Sequence, residues 1–331
     1  MTSAADIVET LCRRYAFGDV GALVPLLGLP ADETSRLRRL CLFGQRLLDL
    51  DAEDFDMSDA APGGPEYAAL VDRARSCRMP QHPREERRGA LDTMLPAYRL
   101  LLEVLQARYD RNEMAGLVAT AHIIAEYLPL LIWETVWGHA ADPLRVGTHV
   151  AGTHFGDPES DCAHHRSDRA GAARIQRIGE APPLGWRTYL DRQHSNVAHA
   201  LAVCAAVCRR PCGVVTRLDP EQHRSLARRC AIALGFADSA LIKLRHAAPV
   251  GHGFGVPSVD EVTQSWNHTR QTLANRDPIA EAALVDDGYC LPGLPTLIEA
   301  LADRPVPPDT LLHDTAELTV HRLETALGVL S

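Results

Sequence analysis

The sequence predicts an all-α protein, and three observations support this. Apolar residues recur with the period of a helix along most of the 331-residue chain. Several helical segments begin at a residue that caps helices, among them Asp219, Ser258 and Asp277. Strand patterns are almost absent, and the best short candidate is "GVVTRL", 213–218. We therefore expect a single large helical domain, a multi-helix bundle that encloses a cofactor pocket.

The elements follow from the positions of the apolar stripes. In chain order, helices are predicted over 4–15, 34–49, 65–77, 84–109, 112–138, 168–178, 184–209, 219–235, 258–275, 278–285, 294–303 and 309–329. Long loops are predicted over 51–66, 147–168 and 246–258. Within one domain, 1–331, we expect an N-terminal helical layer over 1–80, a cofactor- and substrate-binding core over 81–285, and C-terminal helices over 286–331.

Composition excludes several classes of protein. The net charge is −9, which argues against binding to nucleic acid. The N-terminus lacks the basic and apolar regions of a signal peptide. The apolar run 116–137 contains His122, Glu126, Pro129 and Glu134, so a membrane span is not expected. We expect a cytoplasmic protein in which the nine cysteines are reduced.

One histidine interrupts an apolar helical stripe in "LDRQHSNVAHALAVC", 190–204. His194 shares a face with Leu190, Val197 and Leu201, so its imidazole should point into the core. His199 falls on a different face. A buried imidazole needs either a hidden hydrogen-bond acceptor or a metal. The two readings of His194 are a neutral core histidine and an axial ligand to haem iron.

The helix predicted over 112–138 carries a second set of chemical groups. His122 and Glu126 are at i and i+4, and Glu134 and His139 follow further along the chain. A buried carboxylate needs a partner, so a His–Glu pair or an arginine from a neighbouring helix is one interpretation. The other is a non-haem iron or manganese site built from His122, Glu126, Glu134 and His139.

Two further segments could border a pocket. His82 precedes Pro83 at a predicted helix entrance, where it is either exposed or positioned above a pocket. The segment "GHGFGVPS", 251–258, contains Gly253 and Gly255, which allow close approach of the backbone to a ligand. The capped helix that follows could offer N–H groups to a haem propionate, and it carries Trp266 and Arg270. Arg270 could bind an acidic group, or it could be solvated.

Two cysteine- and histidine-rich segments match no established metal pattern. Cys204, Cys208 and Cys212 have the spacing CxxxCxxxC, which differs from the spacings of iron–sulfur ligands. We expect these cysteines to pack as small apolar residues. The loop 147–168 is rich in histidine and aspartate but lacks paired CxxC elements, so we expect a solvated or lid-like loop.

Two segments resemble a known family. "GWRTYLDRQHSNVAHALAVC" resembles the proximal-histidine helix of tryptophan dioxygenase-like haem proteins. "HGFGVPSVDEVTQSW" is similar to a segment of the histidine-ligated haem-dependent aromatic oxygenases of that superfamily, which hydroxylate L-tyrosine in antibiotic and other natural-product biosynthesis. The resemblance covers about 80–275. No HxxxC attachment motif is found, so the resemblance implies non-covalent haem b.

The resemblance implies roles for particular residues. His194 would be the proximal ligand to the haem iron, and His82 would be the distal acid or base. Trp266, Gly253 and Gly255 would border the cofactor. Arg270 would hold the carboxylate of an aromatic amino acid, and peroxide or oxygen would be the oxidant.

The sequence therefore predicts an oxidoreductase, a haem-dependent monooxygenase or peroxygenase acting on an L-tyrosine-like substrate. One alternative is the non-haem metal-dependent oxygenase described above. A second alternative is a non-catalytic helical binding or regulatory protein, in which every buried histidine is structural. We also expect a homodimer and no membrane or nucleic-acid partner.

Overall fold

The computed structural model describes residues 4–51, 64, 67–157, 159, 164, 186, 188, 190, 194–246 and 255–328. These residues form helices and connecting segments, with no strand among them, so the all-α prediction is confirmed. The α-helices of the described residues are, in order, α1 Ala4–Arg13, α2 Phe17–Leu23, α3 Ala31–Leu48, α4 Ala68–Cys77, α5 Leu95–Asp110, α6 Met114–Trp137, α7 Pro143–Val150, α8 His194–Ala206, α9 Gly213–Thr216, α10 Pro220–Ala237, α11 Ala240–Lys243, α12 Val259–Ala274, α13 Pro278–Ala283, α14 Leu294–Ala302 and α15 Leu311–Leu327. Short 3₁₀ turns cover Val24–Leu27, Gly89–Leu91 and Leu244–His246.

The three predicted helix caps are all present. The Asp219 carboxylate accepts hydrogen bonds from the first amides of α10, and Asp277 does the same for α13. Ser258 and Glu261 form a reciprocal capping box at the start of α12. These side chains satisfy amides that have no partner within the helix, which fixes where each helix begins.

The structure corrects several predicted boundaries. The segment 213–218, the best short candidate for a strand, contains one helical turn, α9. The predicted helix over 84–109 begins only at Leu95. The Arg88 guanidinium donates hydrogen bonds to the carbonyl oxygens of Pro83 and Glu85. In a helix these oxygens would accept hydrogen bonds from backbone amides instead.

Three helices were missed from the sequence. Helices α2 and α11 lie where no element was predicted. Helix α7 extends into the predicted loop 147–168 and begins at Asp142-Pro143, the same capping signal that marks α10. The predicted helix over 168–178 lies outside the described residues.

Contacts group the chain into two compact units. The first comprises Met1–Arg78, Pro96–Arg111 and Pro308–Ser331. Its core contains side chains from α1, α2, α3, α4, α5 and α15. The start of α15 has no cap from Thr310. Instead, the Glu103 carboxylate of α5 accepts hydrogen bonds from the amides of Leu312 and His313, at 3.0 Å each.

The second unit comprises Met79–Leu95 and Asn112–Pro307. Helix α6 is central to it and packs against α8, α10 and α14. By length and composition α6 could cross a membrane, the one such helix in the described part of the chain. Within its most apolar window, 61% of the residues are buried inside the protein, as in the core helix of a helical bundle.

Candidate functional site

His194 is the first residue of α8, and it is completely buried. Its Nε2 lies 3.1 Å from the carbonyl oxygen of Ala140. A carbonyl oxygen only accepts, so Nε2 carries the hydrogen and donates it. Burial lowers the pKa of His194 to about 4, so the imidazole is neutral at pH 7. The predicted hidden acceptor therefore exists, and it is the backbone of Ala140.

An axial haem ligand needs a hydrogen-bond acceptor for one ring nitrogen and open volume beside the other. Such a histidine donates one N–H to an acceptor, as His194 does, and presents its other nitrogen to the metal. A macrocycle also needs open volume beside the ring. The His194 ring has no solvent-accessible surface, and it is not among the residues that line the cavity described below. The described residues around His194 therefore do not fit haem.

The alternative metal set is divided between separate places. His122 and Glu126 lie together, with Nε2 3.4 Å from Oε2. Glu134 lies eight residues further along α6, about 12 Å along the helix axis. No group of three or more potential metal ligands occurs among the described residues. The proposed site from His122, Glu126, Glu134 and His139 is therefore not assembled in this structure.

Glu134 and His139 have structural partners of their own. The Glu134 carboxylate accepts hydrogen bonds from the Thr93 hydroxyl and the Met94 amide and pairs with Arg304. The Nδ1 atom of His139 accepts the Asp142 amide at 3.0 Å. These bonds fix the segment before α5 and the turn before α7.

The other predicted site residues take positions of three kinds. His82 is exposed, and Gly255 lies in an exposed segment before α12. Trp266 is a core residue whose Nε1–H donates to the Pro292 carbonyl at 3.1 Å. Arg270 donates to the Leu284 carbonyl at 2.8 Å, which caps the end of α13. Gly253 lies outside the described residues.

The structure instead shows a polar cavity of about 390 Å³ between α6, α8 and α10. Its apolar lining includes Ala125, Pro129, Ala233 and Ala237. Its polar lining consists of His122, Glu126, Ser195, Asn196, His199 and Asp238. The volume falls in the range of small-molecule sites, ~300–1,000 Å³.

Two lining residues, His122 and Glu126, form a hydrogen-bonded group with Arg245, which is not itself among the lining residues. The Arg245 guanidinium contacts His122 Nε2, the same nitrogen that faces Glu126. Hydrogen bonds from His122 and from the Ser195 hydroxyl, together with the nearby Arg245 charge, lower the pKa of Glu126 despite its partial burial. Glu126 is therefore an ionised carboxylate at neutral pH. The predicted His122–Glu126 pair is present, whereas the arginine contacts His122 and not Glu126.

Several lining residues were missed from the sequence. Ser195, Asn196 and His199 share one side of α8, next to the apolar stripe that contains His194. Three polar side chains at i, i+1 and i+4 in an otherwise apolar helix are the signal that could have indicated them. Arg245 could not have been found in this way, because it lies 123 residues from His122 in the chain.

Similarity to known proteins assigns no family or function to this chain. Comparisons with protein-family models, with curated proteins and with solved structures find no match for this chain.

Proposed function

We propose that this protein is an enzyme that binds a small amino-acid-like molecule in the polar cavity and exchanges a proton with it through His122. The observation that carries this proposal is the contact of His122 with both Glu126 and Arg245 at the cavity wall. A carboxylate, an imidazole and a guanidinium in one partly buried group are typical of acid–base sites.

The charges of the cavity complement a zwitterion. Arg245 contacts the lining residue His122, and its planar guanidinium is of the kind that binds carboxylates through two parallel hydrogen bonds. Glu126 and Asp238 line the cavity and can accept hydrogen bonds from an ammonium group. A free amino acid carries both of these groups, and the apolar lining residues can contact its side chain.

Two groups compete for the Nε2 atom of His122. Arg245 can only donate a hydrogen bond, whereas the Glu126 carboxylate can only accept one. When a ligand carboxylate binds Arg245, the Nε2–H of His122 is left to donate to Glu126. The basic lone pair is then on Nδ1, which has no hydrogen-bond partner among the described residues. Ligand binding would thus prepare His122 as a general base.

The resemblance to haem-dependent aromatic oxygenases suggests an aromatic amino acid as the ligand. The haem-dependent hydroxylation of that family stays a prediction for this protein. The described residues around His194 do not fit haem, so the proposal above does not depend on this step. An absorption spectrum of the purified protein with added haemin tests that step. A Soret band that His194→Ala removes would restore the oxygenase hypothesis.

Titration calorimetry with L-tyrosine and with tyramine tests the ligand class. Tyramine lacks the carboxylate, so we expect it to bind at least about tenfold more weakly than L-tyrosine. The variant Arg245→Ala should lose about the same factor for L-tyrosine, because it removes a charge-assisted hydrogen bond. The matched control Arg210→Ala removes an exposed arginine from the segment between α8 and α9, and it should bind normally.

NMR of the ring nitrogens of His122 tests the tautomer change. We expect L-tyrosine to place the ring proton on Nε2, without net exchange of protons with the buffer, whereas tyramine should leave it on Nδ1. His122→Gln should lose these ring signals and keep most of the affinity. Equal binding of tyramine and L-tyrosine, or unchanged binding in Arg245→Ala, would contradict the ligand assignment.

A further inference from the structure

Two cysteines that are eight residues apart meet in the second unit. Cys204 lies in the last turn of α8, and Cys212 directly precedes α9. Their Sγ atoms are 3.5 Å apart and share a hydrogen bond. Both residues are buried, with 1% and 5% of their surfaces exposed. Cys208, between them in sequence, is only half-buried.

The surroundings make the two thiols unequal. The hydrogen bond from Cys204 and an amide hydrogen bond from Val214 lower the pKa of Cys212. The same contact and burial raise the pKa of Cys204. Cys212 is therefore the better nucleophile, and Cys204 keeps its proton. A low-pKa cysteine beside a second thiol is the arrangement of thiol–disulfide sites.

We infer that Cys204 and Cys212 are a redox pair that a hydroperoxide converts to a reversible disulfide. A disulfide needs an S–S distance of about 2.05 Å, so closure requires the sulfurs to approach by roughly 1.5 Å. The connecting segment 207–212 has no helical structure, so small rotations of its backbone and of the two side chains can supply this movement.

The reaction balances with hydrogen peroxide as the oxidant. The Cys212 thiolate attacks one peroxide oxygen, the O–O bond breaks, and the sulfur becomes a sulfenic acid while hydroxide leaves and is protonated to water. The Cys204 sulfur then attacks the sulfenic sulfur. The S–S bond forms, the S–O bond breaks, and the departing hydroxide leaves with the Cys204 proton as water. Two thiols lose two electrons, and one peroxide becomes two waters.

Peptide mapping of the full-length protein tests this assignment. Trypsin cleaves after Arg209 but not between Arg210 and Pro211, so Cys204 and Cys208 fall on peptide 193–209 and Cys212 on peptide 210–217. After treatment with hydrogen peroxide and blocking of free thiols, we expect these two peptides to be linked. The free-thiol titre should fall by two of the nine cysteines, and dithiothreitol should restore it.

Two matched variants identify the partner of Cys212. Cys208→Ala should keep the linked peptides, whereas Cys204→Ala should lose them, with circular dichroism checking that both variants are folded. The inference is overturned if the link survives in Cys204→Ala and disappears in Cys208→Ala. It is also overturned if peroxide oxidises Cys212 to a sulfinic or sulfonic acid without any linked peptides, or leaves all thiols free.

Discussion

The imidazole of His194 donates a hydrogen bond from Nε2 to the backbone carbonyl of Ala140, 3.1 Å away. This contact joins the start of α8 to the turn that follows α6. It explains how a histidine can lie on an apolar stripe, because a buried polar group that keeps a hydrogen bond avoids most of the desolvation cost.

The buried His194 should make the protein sensitive to acid. Its pKa is about 4 in the folded protein, against 6.5 in the unfolded chain. Between these values the unfolded chain binds a proton that the folded protein does not, so stability falls as the pH decreases. We expect His194 to contribute a loss of about 2 kcal/mol between about pH 7.5 and about pH 5, measured by urea unfolding.

A glutamine at position 194 separates this titration from the hydrogen bond. The amide of His194→Gln can still donate to the Ala140 carbonyl but does not titrate, so the acid-induced loss should shrink. His154→Gln is the control, because that side chain is 76% exposed. An unchanged loss of stability in His194→Gln would assign the acid sensitivity to other groups, such as His139, whose pKa burial also lowers to about 4.

A buried ion pair joins Arg88 to Asp142. Two parallel hydrogen bonds of 2.8 and 2.7 Å connect the guanidinium to the carboxylate, and Asp142 also caps α7. Asp142→Ala leaves Arg88 without its charge partner, so we expect a loss of about 3–5 kcal/mol in the free energy of unfolding. The exposed pair Arg145–Asp92 is the control, and Asp92→Ala should cost less than about 1 kcal/mol. Equal losses in the two variants would show that Asp142 contributes no more than a surface charge.

Gly44 allows helices α2 and α3 to approach closely. A Cβ atom at this position would lie 2.7 Å from the ring of Phe17, which is fully buried. We expect Gly44→Ala to destabilise the protein by about 1–3 kcal/mol, although alanine favours helix formation. Gly18→Ala is the matched control, because its Cβ would meet only the flexible Gln45 side chain at 3.4 Å. Thermal unfolding that shows Gly44→Ala to be as stable as the natural protein would contradict this packing.

Glu103 replaces a local cap at the start of α15. Removing its carboxylate leaves the amides of Leu312 and His313 without this acceptor. We expect Glu103→Ala to lower the free energy of unfolding by about 1–3 kcal/mol, measured by urea unfolding. The control is Glu9→Ala, which removes only an exposed pair with Arg13. A loss no larger than that of the control would mean that solvent satisfies the two amides.

The fold class and three of the helix starts were predictable because they depend on residues close together in sequence. Apolar periodicity gave the helices, and Asp219, Ser258 and Asp277 marked where three of them begin. The pairing of His122 with Glu126 was predictable for the same reason, since residues at i and i+4 meet on one helix face.

Only the tertiary structure decided which groups form hydrogen bonds with His194 and His122. Ala140 is 54 residues from His194, and Arg245 is 123 residues from His122. The sequence therefore indicated that His194 is buried and needs either an acceptor or a metal, but not that a backbone carbonyl is the acceptor. It also placed His199 off the apolar stripe, but only the packing of α8 against α6 and α10 made that side part of the lining of a cavity. Local periodicity fixes which way a side chain points, whereas the packing of distant helices fixes what it meets.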